Sequence, residues 1–197
     1  LRLTIARYFT PTGRSIQKPY TNGNDRDYEM DILRRYNNNE FFSADSIHFA
    51  DSLKFTTPKG KTVYGGGGIM PDIFIPLDTT NMSRYYLEVS GRNILYRYTI
   101  EYADNHRKQL SEARTLADIE RMFSEDKGMF NGFVAYASKN GVKPNWGQIA
   151  ISRQIMEAQL KAYIARNSEF DSSAFYYFIC PIDNALLTAI KTLENND

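Results

Sequence analysis

The hydrophobic pattern changes period once along the chain, near residues 77–82. That change constrains the fold more than any other feature. Before it, apolar residues alternate with others: Leu1, Leu3 and Ile5 against Arg2, Thr4 and Ala6. A period of two places one set on one face of a strand. After it, apolar residues recur every three or four, as in Phe130, Phe133, Val134 and Ala137. That spacing is one face of a helix. A single switch of this kind predicts segregated elements, an α+β chain with the β part first. The expected boundaries are a partial β domain over 1–76, a linker over 77–82 and an α-helical bundle over 83–197.

Within the first part, Tyr8, Phe9 and Thr10 continue the β-favouring composition. Pro11 ends the ladder, having no N–H to donate, and Thr12-Gly13 supplies a turn. The segment to Ile47 is polar, with Tyr28, Met30, Ile32, Leu33 and Tyr36 placing a short helix between loops. The run 22–27 carries oxygen ligands but lacks the residue order of a calcium loop. Residues 54–57 and 61–64 flank Pro58-Lys59-Gly60, a hairpin signal. The glycines Gly65 to Gly68 permit close backbone approach, and Ile73, Phe74 and Ile75 predict a last strand before Pro76. Three or four strands make a poor sheet alone, with edges that want partners. Self-association through the strand from Leu1 to Phe9 is therefore expected.

In the second part, Ser83 is placed to cap a first helix that Gly91 breaks, and one helix is expected over 92–109. Thr115 precedes Asp118 by three positions, a capping-box variant. Asn140-Gly141 ends the helix that carries Phe133, with Val142 packing back. The longest helix is expected over 148–166. Ser173 and Asp183 are the expected caps of two further helices, the last carrying Leu186, Leu187, Ile190 and Leu193.

Charge is balanced, 24 Lys and Arg against 23 Asp and Glu. A nucleic-acid partner recognised through net charge is not expected. No apolar run reaches the roughly 18 residues of a membrane span. The single cysteine, Cys180, excludes an intrachain disulfide and reads as a small buried apolar residue.

Few motifs carry chemistry. Ser15 and Lys18 have S-x-x-K spacing, but Pro19 follows and no supporting motif accompanies them. The glycine run lacks the Lys-Ser/Thr that opens a P-loop helix and reads as backbone packing. His48 and His106 are widely separated, and His106 sits in the charged run Asn105-His106-Arg107-Lys108, which reads as a solvated face. Neither a metal site nor a cofactor is expected. Arg7 reads as snorkelling or pairing with a carboxylate. The tyrosines of the helical half, Tyr85, Tyr86, Tyr96, Tyr98, Tyr102, Tyr176 and Tyr177, read as helix packing or as an interface.

Two blocks carry a family resemblance. Thr4-Ile5-Ala6-Arg7-Tyr8-Phe9-Thr10-Pro11-Thr12-Gly13-Arg14-Ser15-Ile16-Gln17 resembles the strand-and-loop signature of the carboxyl-terminal processing peptidases. These are tail-specific serine peptidases with a Ser–Lys dyad. Gly65-Gly66-Gly67-Gly68-Ile69-Met70-Pro71-Asp72-Ile73 is similar to the segment that closes their catalytic domain. The second half resembles the helical tail on some of these peptidases. In that family the nucleophilic Ser, the Lys base and the substrate-recruiting module precede this strand. A strand that begins at the first residue reads as a cut point inside a longer protein. The resemblance thus implies a C-terminal fragment of a cell-envelope or periplasmic peptidase acting on protein or peptide substrates, with the dyad upstream of Leu1 and this chain inactive alone. It also implies that Arg14, Ser15 and Gln17 belong to a loop shaping the substrate cleft. Two rival readings stand beside it: a non-catalytic interaction or oligomerisation module, and a small enzyme using Ser15 and Lys18.

Overall fold

The chain divides into two units between Asp78 and Thr79, inside the stretch where the hydrophobic period changes. The computed structural model describes residues 6–18, 25–48, 51–66 and 68–195.

The first unit, Leu1–Asp78, is built from turns and short elements. Helices α1 (Asp25–Glu29) and α2 (Asp31–Asn37) follow one another across Met30. Single 3₁₀ turns occupy Ala44–Ser46 and Asp51–Leu53. Strands β1 (Lys54–Thr56) and β2 (Thr62–Tyr64) pair antiparallel, with Phe55 opposite Val63. Their loop closes where expected: Gly60 takes φ +80° and its N–H donates to the Thr57 carbonyl at 2.8 Å.

Two strand expectations need correction here. The strand from Leu1 to Phe9 falls outside the described residues over 1–5. Ala6, Arg7 and Tyr8 have no regular structure, and Phe9 forms only an isolated antiparallel bridge with Ser15. The turn between them competes for the backbone: Gly13, at φ +84°, donates its N–H to the Thr10 carbonyl, and Thr10 donates to the Arg14 carbonyl. Ile73, Phe74 and Ile75 likewise form no strand. They lie between Pro71 and Pro76, neither of which can donate to a ladder. The described part of this unit is therefore loop-rich rather than β-rich.

The second unit, Thr79–Asp197, is helical: α3 (Arg84–Gly91), α4 (Ile94–Asn105), α5 (Arg107–Glu112), α6 (Leu116–Glu125), α7 (Met129–Lys139), α8 (Trp146–Ala165), α9 (Asp171–Ile179) and α10 (Asn184–Glu194). Helix α8 is the axis, packed against α3, α4 and α9, while α7 packs on α4. Val89, Ile94, Leu110, Ile119, Phe133, Ile149, Met156, Leu160 and Ile164 are essentially inaccessible to water. Ser152 ties the start of α3 to this axis. Its hydroxyl accepts from the Ser83 N–H and donates to the Ser83 hydroxyl, both at 2.8 Å. Buried polar groups stay paired in this way because an orphan is expensive.

The helix expected over 92–109 starts late and is interrupted once. It begins after Asn93, which takes the left-handed conformation (φ 56°), and it breaks at His106. The last helix starts at its expected cap, with the Asp183 carboxylate accepting from the N–H groups of Ala185 and Leu186. Ser173 does not cap; α9 begins earlier, at Asp171. Cys180 is half-buried rather than buried, because it sits in the 3₁₀ turn Cys180–Ile182 that leads off the bundle. No residue of α10 is buried, and Leu186, Leu187, Ile190 and Leu193 are exposed. Among the described residues no single helix is long and apolar enough to cross a membrane. Helices α9 and α10 pass that test only together, across an 82° bend.

Candidate functional site

The loop with the expected cleft residues is held by Arg14. Its guanidinium Nη1 donates to the Tyr64 carbonyl at 3.0 Å, linking positions 50 residues apart. The stem of Arg14 packs on Gly65: a Cβ built there would lie 3.3 Å from Arg14 Cβ and 3.1 Å from the Phe55 ring. The next glycine is more constrained. Gly66 has φ +89°, and a Cβ would meet Leu53 Cδ1 at 2.4 Å. The glycine run thus serves close backbone packing, with the Gly65 N–H donating to the Leu53 carbonyl at 2.9 Å. Gly67 lies outside the described residues.

Ser15 closes a small turn of its own. Its hydroxyl accepts from the Gln17 N–H and donates to the Gln17 carbonyl, each at 3.2 Å. Lys18 faces elsewhere, with Nζ 2.6 Å from Asp31 Oδ1 and 5.9 Å from the centroid of the Tyr28 ring. The Lys18 hydrogen bond and charge hold the Asp31 carboxyl below the usual carboxylate range. A general base for Ser15 needs a neutral amine within hydrogen-bond reach. Here the ammonium is engaged by a carboxylate, and among the described residues no hydrogen bond joins Ser15 to Lys18. Arg14, Ser15 and Gln17 do come together on one loop, with Ile16 at its exposed tip. Arg7 is exposed, and the His48 ring nitrogen Nδ1 lies 2.9 Å from the Ser46 carbonyl.

A second arrangement, in the helical unit, was not visible from sequence. Tyr98 and Tyr102 fall on successive turns of α4 and His106 stands at its C-cap, with Asp126 and Met129 bonded to the two tyrosines. The Tyr102 hydroxyl donates to Asp126 Oδ2 at 2.5 Å, and the Gly128 N–H donates to Asp126 Oδ1 at 2.7 Å. The Tyr98 hydroxyl donates to the Met129 carbonyl at 2.8 Å. Gly132 makes room for it, since a Cβ there would sit 2.7 Å from that oxygen. His106 is not the solvated residue its charged neighbours suggested. Its ring stacks on Tyr102, with centroids 3.9 Å apart and planes within 13°, and its Nδ1 lies 2.9 Å from the Tyr102 carbonyl.

The electrostatics follow from this packing. Burial, then the charges of Asp126 and Glu101, push the Tyr98 phenol up to about 12. Burial, then the bond to Asp126, push Tyr102 up as well. For Asp126, burial opposes ionisation. The hydrogen bonds from Tyr102 and Gly128 and the nearby His106 outweigh it, so the carboxyl is lowered. The i, i+4, i+8 spacing of Tyr98, Tyr102 and His106 was the one available signal. Asp126 belongs to a turn whose position depends on α6 and α7 together.

Among the described residues, no group of three or more His, Cys, Asp or Glu side chains is arranged to hold a metal. Residues 85–168 match a family of unknown function (DUF8443). The match lies wholly inside the helical unit and includes the Tyr98–Asp126 network. No curated protein and no solved structure matches the chain.

Proposed function

We propose that this chain is the C-terminal portion of a carboxyl-terminal processing peptidase. In this reading it supplies part of the substrate cleft and a helical tail to an enzyme that cleaves proteins near their C-termini in the cell envelope or periplasm. The observation that carries the reading is the meeting of the two resembling blocks. Arg14 of the first packs on Gly65 of the second and donates to Tyr64, the residue just before it. Two signature segments far apart in sequence share one local structure, as parts of one catalytic domain would.

The chemistry expected of the whole enzyme is acyl transfer from a peptide bond to Ser, with Lys as the general base. Both groups belong to the segment that precedes this strand in the family. This chain's contribution is positional. Arg14 fixes the loop from one side, and the turn at Ser15 sets the direction of Gln17.

The test is direct. The chain is incubated with an unfolded protein and new termini are followed by mass spectrometry; none should appear. The same assay on a chain extended to include the preceding Ser and Lys should show cleavage. In that longer chain Arg14→Lys should lower kcat/KM, since an ammonium does not reproduce the planar donor set of a guanidinium. Cleavage by the short chain that vanishes on Ser15→Ala would overturn the reading in favour of a Ser15–Lys18 enzyme.

The second reading, a non-catalytic interaction module, rests on α10. A helix of this length is marginal in water by itself, and this one buries none of its four large aliphatic residues.

A further inference from the structure

The Tyr102–His106 stack separates two recesses on the helical unit. The larger, about 570 Å³, is floored by Tyr102, Ala113 and Ile119 and edged by Glu112, Met122 and Glu125. The smaller, about 220 Å³, adds Tyr98, Glu101 and Met129. Tyr102, His106 and Asp126 belong to both. The larger recess falls in the size range of ligand sites, and its floor is built: Tyr102, Ala113 and Ile119 are each at least nine-tenths buried.

The charge is one-sided. Asp118 and Arg121 offset each other in an ion pair. Glu112 is held only loosely by Lys108, at 3.8 Å. Glu125 makes no ion pair among the described residues, and Asp126 is kept ionised by donors from within the fold. The resulting surface is a mainly polar trough with the stacked Tyr102 and His106 rings at its centre and carboxylates on its edges. We propose that it binds an aliphatic cation, the ammonium or guanidinium end of an extended basic peptide segment. The stem of a lysine or arginine lies along Met122, and its head reaches Glu125 or Glu112. A second basic residue, two positions along, crosses the Tyr102–His106 shelf toward Glu101. An anionic or wholly apolar ligand would leave the carboxylates without partners.

This inference is independent of the peptidase reading, and its test does not use hydrolysis. The full chain is titrated by calorimetry with three probes: acetyl-Ala-Lys-Leu-Lys-Ala-amide, its Glu-for-Lys counterpart and spermidine. Saturable binding of the lysine peptide and none of the glutamate peptide is expected. Spermidine binding as tightly would overturn the peptide assignment in favour of a free polyamine. Glu112→Gln with Glu125→Gln, both at exposed positions, should weaken the lysine peptide about tenfold without altering the circular dichroism. Met122→Lys, which places a cation in the trough, should abolish binding. No binding of either cation, equal binding of both peptides, or an unchanged affinity in the double variant would overturn the proposal.

Discussion

The two units keep their shape by different means. None of the described residues of the first unit is fully buried, although it contains Tyr8, Phe9, Ile32, Leu33 and Tyr36. The second unit has a continuous core running from Tyr85 to Ala174. The first is held by turns, a hairpin of two three-residue strands and the Arg14 clamp, while the second is held by side chains removed from water. A hydrogen bond exchanged with water contributes about 1 kcal/mol net. A buried aliphatic or aromatic side chain contributes roughly 1.5–3 kcal/mol. Hydrophobic residues alone therefore do not make a core; they need helices or sheets long enough to bring them together.

The largest test of this contrast is separation. Residues 79–195 expressed alone should melt cooperatively with a helical circular dichroism spectrum, because their core residues touch one another. Residues 1–78 alone should show no cooperative transition. A cooperative melt of the first piece, or a non-helical spectrum of the second, would break the comparison.

Single substitutions sharpen it. Phe133 is inaccessible and its ring contacts Tyr98 and Phe130. Phe133→Ala should cost the helical unit about 3–5 kcal/mol, as for other large buried aromatics. Phe55, half-buried beneath Gly65, is the nearest equivalent in the first unit. Phe55→Ala should leave the helical melt where it is. Chemical denaturation followed by far-ultraviolet circular dichroism reads both, and equal shifts would show that the units unfold as one.

The tyrosine network gives a pH test. Tyr98 is raised to about 12 by burial and by the charges of Asp126 and Glu101, against an ordinary value of about 10. Its folded-state value exceeds its unfolded one, so its contribution is fully present below about pH 10. It is lost as the pH rises toward 12. Unfolding of the helical unit and the appearance of phenolate absorbance from Tyr98 should coincide in that window. Tyr98→Phe removes this titration but leaves the Met129 carbonyl without one donor. The variant should then be less stable at neutral pH and less sensitive to alkali.

How much of this was legible in the sequence depended on range. The caps at Ser83, Thr115 and Asp183 were readable because each bonds its own next turn. The hairpin was readable because Gly60 and the flanking β-type residues are local signals. The start of α8 was not, since Asn145 caps it from two residues further out than the apolar pattern suggested. A strand at Ile73 failed because a strand needs a partner, and sequence does not say whether one is within reach. His106 was misread from its charged neighbours, although what decides its role is the Tyr102 ring one turn back. The trough between α4, α5 and α6 has no local signature at all. Its carboxylates come from α5 and from α6 with its C-cap, which only the fold brings together.

The smallest expected effect concerns helix starts. In α6 the Thr115 hydroxyl accepts from the Asp118 N–H at 3.2 Å, and the Asp118 carboxylate accepts from the Thr115 N–H at 2.9 Å. Both ends of the box are made, so Thr115→Ala should cost about 1 kcal/mol. The Thr115 side chain first, then the Arg114 N–H, hold the Asp118 carboxyl below its usual range. The folded value lies under the unfolded one, so the contribution is present at neutral pH and is lost as the pH falls through the folded value. The gap between wild type and Thr115→Ala should accordingly narrow in acid. In the first unit α2 starts at Asp31 behind Met30, the N-cap residue, whose backbone is already helical (φ −74°, ψ −8°) and whose side chain caps nothing. A serine there lacks the extended geometry that aims a hydroxyl at the following N–H groups. Met30→Ser should therefore add no stability, although a rule based on residue type alone would expect a gain. A measurable increase in helicity would mean that α2 begins as a separate helix rather than continuing from α1.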